Sequence, residues 1–285
     1  MRLSTRSWTG IVLVAVATIT PAPGAAQDTV SWKSSTELSY VSTGGNSSSS
    51  TLGLKATLTR TSGPNAFKVE AGGIRSETGF TTRTATGTET DYSVSETTVS
   101  RTTAESSYLR GRYDRTFARS FAFVGAGWDR NTFSGIRNRY AAVVGVGRTL
   151  VDGESGHLKA DIGTTYTVQK DVDPTPGAPT GFGGLRVNVD AARNLTSTTE
   201  LSSVLVVDES LKDTQDLRAD WTNSVSVALS QRLALKTSLQ LLFDNVPALL
   251  GVPLVDANGQ DTGLTVTTPS DKLDRIMTLT LVIKL

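Results

Sequence analysis

The chain has 285 residues, of which 19% are charged, and its basic and acidic side chains nearly cancel to a net charge of +1. This balance argues against the basic surface of a nucleic-acid-binding protein and against a solvated acidic tail. Hydrophobic residues make up 38% of the chain, which is low for a soluble protein with a large core. Because the chain contains no cysteine, an exported form would depend on a large core, a closed sheet or a membrane instead of disulfides.

The first element along the chain is a predicted export signal. Arg2 and Arg6 precede an apolar segment at 10–20, and small residues follow as far as Ala26. This order is typical of a secretory signal peptide at 1–26, cleaved after Ala26, which leaves a mature domain at 27–285. The apolar segment is well short of the ~20 residues that a membrane-spanning helix needs, although an uncleaved anchor is the alternative.

From residue 31 onward the dominant hydrophobic period is two. Near the end of the chain, for example, Leu233, Leu235 and Leu239 fall on one face of a segment, and Lys236 and Gln240 fall on the other. This alternation predicts β-strands with one apolar and one polar face. Turn signals divide the mature chain into about twelve such strands, which we place near 31–43, 48–61, 65–76, 101–115, 119–130, 136–150, 157–170, 182–193, 199–209, 215–229, 232–244 and 272–284.

The connections between these segments alternate in length. Short ones such as "TSGPNA" and "NLTST" alternate with long ones at 77–100, 171–181 and 245–271, and the first loop contains Gly44, Gly45 and Asn46. Short turns at one end and long loops at the other are typical of bacterial outer-membrane barrels, which have an even number of strands. We therefore predict an all-β fold, a transmembrane antiparallel up-and-down β-barrel of about 12 strands with short periplasmic turns and longer extracellular loops.

Aromatic residues fall near both ends of the predicted strands. The set near the short turns comprises Trp32, Phe67, Tyr113 and Phe121, and the set near the long loops comprises Tyr40, Tyr140, Tyr166 and Phe243. We expect both sets on the apolar faces, as two interfacial girdles of a barrel. A soluble β-sandwich or lipocalin-like barrel is the alternative fold, but its inward apolar faces would need more bulky aromatic residues than the 6% in this chain.

Three parts of the sequence resemble one bacterial family. "WKSSTELSYVSTGGNSS" at 32–48 is similar to the opening of the domain of unknown function 481 family, and 108–152 is similar to its central hairpins. "FDNVP" at 243–247 and "DKLD" at 271–274 resemble its closing portion. The family's members are described as salt-induced outer-membrane proteins, so the resemblance implies a barrel and a role in adaptation of the envelope to osmotic conditions. The inserts at 77–100 and 248–268 exceed the family pattern.

Few residues fit catalysis. His157 is the only histidine, and a barrel enzyme acting on lipid would need a Ser–His pair near the outer leaflet, whereas His157 is predicted at the periplasmic rim. The carboxylate pairs at 208–209 and 271–274 lie near the extracellular end without a histidine. We therefore predict no enzymatic activity.

Ligand motifs are also incomplete. The segment 256–263 places oxygen-bearing side chains around a glycine, but its spacing does not match a calcium loop. The pairs Gly125/Gly127 and Gly145/Gly147 do not complete a nucleotide-binding motif, and glycine inside a strand more often permits curvature or close approach. We predict no cofactor and no metal.

The polar strand faces carry both signs of charge. We infer inward positions for Lys55, Lys68, Arg110, Arg112, Arg139, Lys159, Arg186, Arg218, Lys236, Glu37, Glu70, Asp114, Asp161, Asp190, Asp208, Asp220 and Asp274. A mixed interior indicates an ion-paired lumen with little or no open passage, whereas a channel selective for acidic sugars would carry one sign. In the alternative, a narrow small-solute channel, the lumen lining would include Arg110, Arg112, Asp114, Arg139, Arg186, Asp190, Arg218 and Asp220, with Arg110 and Arg112 at the constriction.

These patterns together predict a non-enzymatic barrel in the outer membrane of a Gram-negative bacterium, with a structural role or a role in envelope stress and osmotic adaptation. The expected partners are the lipid bilayer, lipopolysaccharide and the outer-membrane assembly machinery. We expect a monomer and no nucleic acid. A porin-like channel and, after it, a barrel enzyme acting on lipid are the alternatives.

Overall fold

The structure is a computed structural model that describes residues 30–43, 48–87, 91–132, 134–174, 180–255, 260–269 and 271–284. The predicted signal peptide at 1–26, the loop residues Gly44, Gly45 and Asn46, and 256–259 of the weak calcium-loop motif lie outside these residues. No helix in the part of the chain that the structure describes has the length and apolar character needed to cross a bilayer.

The described residues form fourteen strands that follow one another along the chain. They are β1 (Ser31–Thr43), β2 (Ser48–Ser62), β3 (Asn65–Gly87), β4 (Tyr92–Phe117), β5 (Ser120–Asn131), β6 (Ile136–Gly153), β7 (Gly156–Asp171), β8 (Gly181–Asn194), β9 (Thr199–Ser210), β10 (Leu217–Ala228), β11 (Leu233–Asp244), β12 (Leu249–Val255), β13 (Asp261–Pro269) and β14 (Leu273–Lys284).

Twelve of these strands close into a barrel, in the order β1-β14-β11-β10-β9-β8-β7-β6-β5-β4-β3-β2, and β12 and β13 form a separate two-stranded sheet. Every neighbouring pair in the ring is antiparallel, with β1 joined to β14 through Ser35–Leu38 and Leu281–Lys284. This architecture confirms the predicted antiparallel barrel of about twelve strands. The predicted strand boundaries agree within a few residues, except at the hairpin of β3 and β4.

The apolar side chains of the strands point away from the lumen. In β6, Val144 and Val146 are exposed, and the alternate residues Gly145 and Gly147 face inward. The buried apolar residues of the described chain are only Phe121, Phe123, Ala234 and Val282. The structure therefore excludes the alternative of a soluble sandwich, which would bury these faces in a core.

The two ends of the barrel differ in their connections. At one end the strands are joined by short turns, such as Gly63 and Pro64 between β2 and β3, where Gly63 has a φ of +52° that favours glycine. At the other end lie the connections that were predicted to be long. We call these the short-turn end and the long-loop end.

Two segments predicted as long loops contain β-structure. In the region 77–100, residues 77–87 and 92–100 form a two-stranded ribbon that extends β3 and β4 as far as the pair of Gly87 and Tyr92. Its Thr and Val residues are β-branched, which favours an extended ladder even where no apolar face is present. Within 245–271, β12 pairs with β13 in a hairpin.

Within the described residues, the backbone ladder of the outer part of the ribbon joins β3 and β4 to each other and to no other strand. The pairing of β2 with β3 ends at Ser48 and Gly79, and the pairing of β4 with β5 ends at Ser106 and Asn131. The eight residues of β3 from Phe80 onward therefore extend roughly 27 Å past the end of β2, at ~3.4 Å per residue.

Shortening this ribbon should not affect the barrel. We expect that replacing 81–98 with an Asn-Gly turn, which would join the paired residues Phe80 and Val99, changes the free energy of unfolding by less than about 0.5 kcal/mol, because the backbone ladder described for this segment joins β3 to β4 beyond the barrel wall. Heat-modifiable gel migration and urea unfolding measure this. Loss of the folded, fast-migrating band would show that the ribbon contributes to barrel stability.

Candidate functional site in the barrel lumen

The eight residues predicted to line the lumen lie on strand faces opposite to exposed apolar side chains. Their outward neighbours include Leu109, Tyr113, Tyr140, Leu185 and Trp221, all of which are exposed. The inward side chains make contacts between strands that are not adjacent in the ring. The lumen is therefore the place where the chain concentrates its charged groups.

Arg112 is the centre of the largest of these contacts. Its Nε donates hydrogen bonds to both carboxylate oxygens of Asp114 at 2.9 and 3.1 Å, and its Nη2 donates to Oδ2 of Asp161 at 3.0 Å. Asn188 donates to the same oxygen of Asp161 at 3.1 Å. Because β4 and β7 are separated by two strands in the ring, the contact of Arg112 with Asp161 passes through the lumen.

Two phenylalanine rings fill the space below this arginine. The guanidinium of Arg112 lies 3.7 Å from the ring centroid of Phe123 and 5.7 Å from that of Phe121, a cation–π arrangement. A Cβ atom on Gly147 would collide with the ring of Phe121, and one on Gly145 would meet Phe123. These glycines make room for the rings.

The prediction for Phe121 was therefore wrong. Phe121 was expected outward in the girdle near the short turns, but it is buried in the lumen. On β5 the odd-numbered positions face inward, as Gly125 and Asp129 also do, and the outward face of this part of β5 carries Ala122 and Val124. The other girdle residues on both lists, except Phe243, which is half-buried, are exposed.

Arg110 forms a second contact on the same strand. Its Nη2 donates to Oδ1 of Asp129 at 2.7 Å, and its guanidinium lies 4.7 Å from the ring centroid of Tyr108. Arg110 remains 49% exposed. Water therefore reaches this part of the lumen.

Lysine–glutamate ion pairs lie in the part of the lumen lined by β1, β2, β3 and β11. Glu70 lies 3.5 Å from Nζ of Lys55 and 3.1 Å from Nζ of Lys68. Nζ of Lys236 donates to both carboxylate oxygens of Glu37 at 3.1 and 3.2 Å, across β14. Of these inferred inward residues, Lys68 is 51% exposed.

A further group lies toward the long-loop end. Arg186 donates from Nε and Nη2 to the two oxygens of Asp208 at 2.7 and 2.8 Å, a bidentate geometry suited to arginine and carboxylate. Asp220 accepts hydrogen bonds from Gln240 at 2.9 Å and from Thr222 at 3.3 Å. Arg186 and Asp220, both predicted to line the lumen, are thus fixed in position by hydrogen bonds to residues of adjacent strands.

Arg218 and Arg139 form the outermost contacts. Arg218 donates to Oδ2 of Asp216 at 2.7 Å and lies 3.4 Å from Asp244. Arg139 donates to Gln169 at 2.7 Å, and Gln169 donates in turn to Asp171. Burial raises the pKa of the Asp216 carboxyl above its ordinary value, although Arg218 beside it acts in the opposite direction.

The remaining candidates lie at the two ends. His157, at the short-turn end, has its Nε2 3.2 Å from Oδ1 of Asp190, the eighth predicted lumen residue. Asp208 is bound to Arg186, and Asp274 accepts a hydrogen bond from Ser134 at 2.9 Å. Within the described residues, no cluster of His, Cys, Asp or Glu could hold a metal ion.

The long-loop end is bridged by contacts between opposite walls. The backbone N–H of Gly251, in β12, donates to Asp173 in the connection after β7 at 2.9 Å. Ser134 in the β5–β6 connection reaches Asp274 of β14, and a Cβ on Gly135 would collide with Ala248. The β12–β13 hairpin therefore lies over the mouth of the barrel.

Several lumen residues were not predicted from the sequence. Asp129 lies at an odd-numbered position of β5 and Tyr108 at an even-numbered position of β4, which are the inward positions of those strands. The alternation of each strand could therefore have predicted both residues. Gln169 and Asn188 are neutral, and a search for charged residues does not find them. Asp216 and Asp244 lie at the strand ends, where alternation gives no orientation.

Comparison with solved structures gives weak overall similarity to outer-membrane barrels. A bacterial polysaccharide outer membrane secretin has a TM-score of 0.38 and 5% identity, over 92% of this chain and 99% of that chain. OmpT, an outer membrane protein of Vibrio cholerae, has a TM-score of 0.37 and 11% identity, over 90% and 97%. A porin has a TM-score of 0.37 and 7% identity, over 90% and 100%.

The search of curated proteins gave no match. The model of the family described as "Protein of unknown function, DUF481" matches residues 36–264. That range contains the complete strands β2–β12, most of β1 and the first residues of β13. The match also covers the segments 36–48 and 108–152 that carry most of the resemblance seen in the sequence. This chain belongs to the DUF481 family.

Proposed function

We propose that the protein is a non-enzymatic barrel of the Gram-negative outer membrane whose lumen is closed to axial flow by paired charges. The outward apolar band and the aromatic residues near both strand ends support a position in a bilayer. The long-loop end would then face the outside, and the short turns the periplasm.

The observation that carries this proposal is the pairing of Arg112 with Asp114 and Asp161. This contact joins β4 to β7 through the lumen, and the two phenylalanine rings pack beneath it. Asp161 is 3% exposed, so little water surrounds it. A passage at this level would require the ion pair to break, and a buried carboxylate without its partner is costly.

The physiological role follows from the family resemblance and from the surface that the barrel presents. We propose that it serves the envelope structurally or in adaptation to envelope stress and osmotic conditions, as a monomer. Its partners would be the bilayer, lipopolysaccharide and the outer-membrane assembly machinery. The ribbon of β3 and β4 and the β12–β13 hairpin offer the surface for outside contacts.

A narrow small-solute channel is the second candidate function. Arg110 and Lys68 are about half exposed although they face inward, which favours a water-filled path beside the ion pairs. In that case Arg110 would select against cations, and Arg112 would stand at the constriction.

Conductance in planar bilayers separates the two functions. We expect purified protein to give no steady ohmic steps, because the lumen is crossed by paired charges at the level of Arg112. Regular steps would contradict the closed lumen. A shift in ion selectivity on removal of Arg110 would then establish the channel.

Removal of Arg112 should destabilise the barrel strongly. Arg112→Ala leaves the buried Asp161 carboxylate without its cationic partner, so we expect a loss of about 3–5 kcal/mol in the free energy of unfolding. The matched control is Arg75→Ala, because Arg75 pairs with Glu77 at 2.8 Å on an exposed surface, where such a pair contributes about 0–1 kcal/mol. Equal losses in the free energy of unfolding for the two variants, measured by urea unfolding, would show that the lumen ion pair stabilises the barrel no more than an exposed one does.

Adjacent substitutions on β11 test the position in the membrane. Leu239 is exposed on the outward face near the middle of the strand, and Gln240 faces inward beside Asp220. We expect Leu239→Arg to cost about 2–4 kcal/mol in stability in a bilayer. Gln240→Arg should cost much less, because Asp220 can pair with the new charge. Similar costs for both, measured by urea unfolding in lipid vesicles, would contradict the assigned faces.

A further inference from the structure

The seam between the first and last strands is open over part of its length. Within the described residues, β1 pairs with β14 only from Ser35 to Leu38 and from Leu281 to Lys284, whereas β1 pairs with β2 along its whole length from Ser31 to Thr43. The edge of β14 from Leu273 to Thr280, which is paired with β11 on its other side, has no ladder toward β1.

This opening lies in the half of the wall nearest the long-loop end. It begins directly above Leu38, and Tyr40, a residue of the aromatic set at that end, lies at its rim. In a bilayer the opening would therefore lie at the outer leaflet, at the height of the headgroups and of the acyl chains just below them.

An inward residue at the opening is exposed. Val41 belongs to the inward face of β1, as Glu37 does, yet it is 55% exposed. On the other rim Met277 and Leu279 of β14 are exposed on the outward face. Both rims therefore carry exposed apolar side chains, on the inward face of β1 and on the outward face of β14.

The lumen beside the opening is less charged than the rest. The uncharged inward positions of this sector are Ser39 and Val41 on β1, Ile276 and Thr278 on β14, and Leu242 on β11. The inward charge of β14 in this stretch is Asp274, near the mouth, which accepts a hydrogen bond from Ser134. The ion pairs of Arg110, Arg112 and Arg186 lie on β4–β9, on the other side of the ring. A hydrocarbon chain that enters at the level of Val41 and Thr278 would lie below Asp274 and would not displace an ion pair.

The lower limit of the opening is held by an ion pair. Lys236 and Glu37 join β11 to β1 across the lumen side of β14, and Glu37 lies in the last paired stretch of the seam. Both side chains are mostly buried. This contact keeps the two strands together directly below the opening.

The mouth and the seam together define a route. The β12–β13 hairpin covers the long-loop end, whereas the wall is open at the seam below it. A molecule in the upper lumen would therefore exchange with the outer leaflet through the wall. We propose that this opening is a lateral portal that binds an acyl-chain lipid of the outer leaflet, with one chain inserted beside Val41 and Ile276.

The chemistry of the rims favours an amphipathic molecule. The unpaired N–H and C=O groups of the two strand edges need polar partners, which hydrocarbon cannot supply. The ester, amide or phosphate groups of a lipid headgroup lie at this height and provide them, and the acyl chain meets the apolar residues. The proposal rests on the membrane position proposed above.

Fluorescence quenching by labelled lipid tests the portal. The sequence has no cysteine, so single cysteines at Ile276, Leu279 and Val143 can carry a small thiol-reactive fluorophore. The labelled proteins are reconstituted in phosphatidylcholine vesicles that contain phosphatidylcholine with a nitroxide on the acyl chain. Val143 is the matched control, a β-branched inward residue in the outer half of β6, where the wall is closed.

We expect the label at Ile276 to lose intensity to the same extent as the label at the outward residue Leu279, and the label at Val143 to keep its intensity. If Leu279 is quenched but Ile276 behaves as Val143 does, the portal is wrong and the membrane position stands. If Leu279 itself is not quenched, the membrane position fails and the portal fails with it.

A disulfide test examines the gap directly. A continued seam would place Val41 opposite Thr278, on the same face and in the same phase of the ladder as the paired residues Ser35 and Lys284. We expect the cysteine pair 35/284 to cross-link under mild oxidant and the pair 41/278 to remain reduced. Equal cross-linking would show a continuous wall. A disulfide-linked dimer of the single variant Thr278→Cys would show that a second copy occupies the edge, which also contradicts the lipid portal.

Discussion

Closure of the sheet is the constraint on which the rest of this structure depends. In hydrocarbon the backbone N–H and C=O groups of a strand must find partners within the protein, and the ring of antiparallel strands provides them everywhere except along the open part of the seam. Once the ring is closed, alternate side chains of each strand belong to two different environments. The apolar surface of the protein is therefore outside, and the polar side chains occupy the small volume within.

That volume explains the pairing of charges. Arginines and carboxylates in a partly dehydrated lumen are stable only as neighbours, and the strands supply them from different parts of the chain. Arg112 and Asp161 are 49 residues apart in sequence, yet they meet because the curvature of the ring turns the inward faces of β4 and β7 toward the same part of the lumen. Glycines at 145 and 147 then leave space for the two phenylalanine rings beside them.

The strand pattern was predictable from the sequence because a period of two with an apolar face is a strong and local signal. Phe121 was assigned the wrong orientation because its aromatic character was weighted above the alternation of β5. The ribbon at 77–100 was taken as a loop because its threonines give no apolar face, although β-branched residues favour strands on any surface. The contacts of Arg112 and the limited seam depend on the register of distant strands, which no local pattern contains.

The seam also bears on how the barrel forms. Ser35 and Lys284, which pair across it, stand near opposite ends of the strand-forming chain, so this ladder is assembled only after nearly all of the polypeptide is available. Joining such distant residues carries a large loop-closure entropy, and only a few residue pairs offset it. Contacts of this range slow folding. The ring is thus completed late, through its shortest ladder, and the ion pair of Lys236 with Glu37 holds β11 to β1 near the point where that ladder stops.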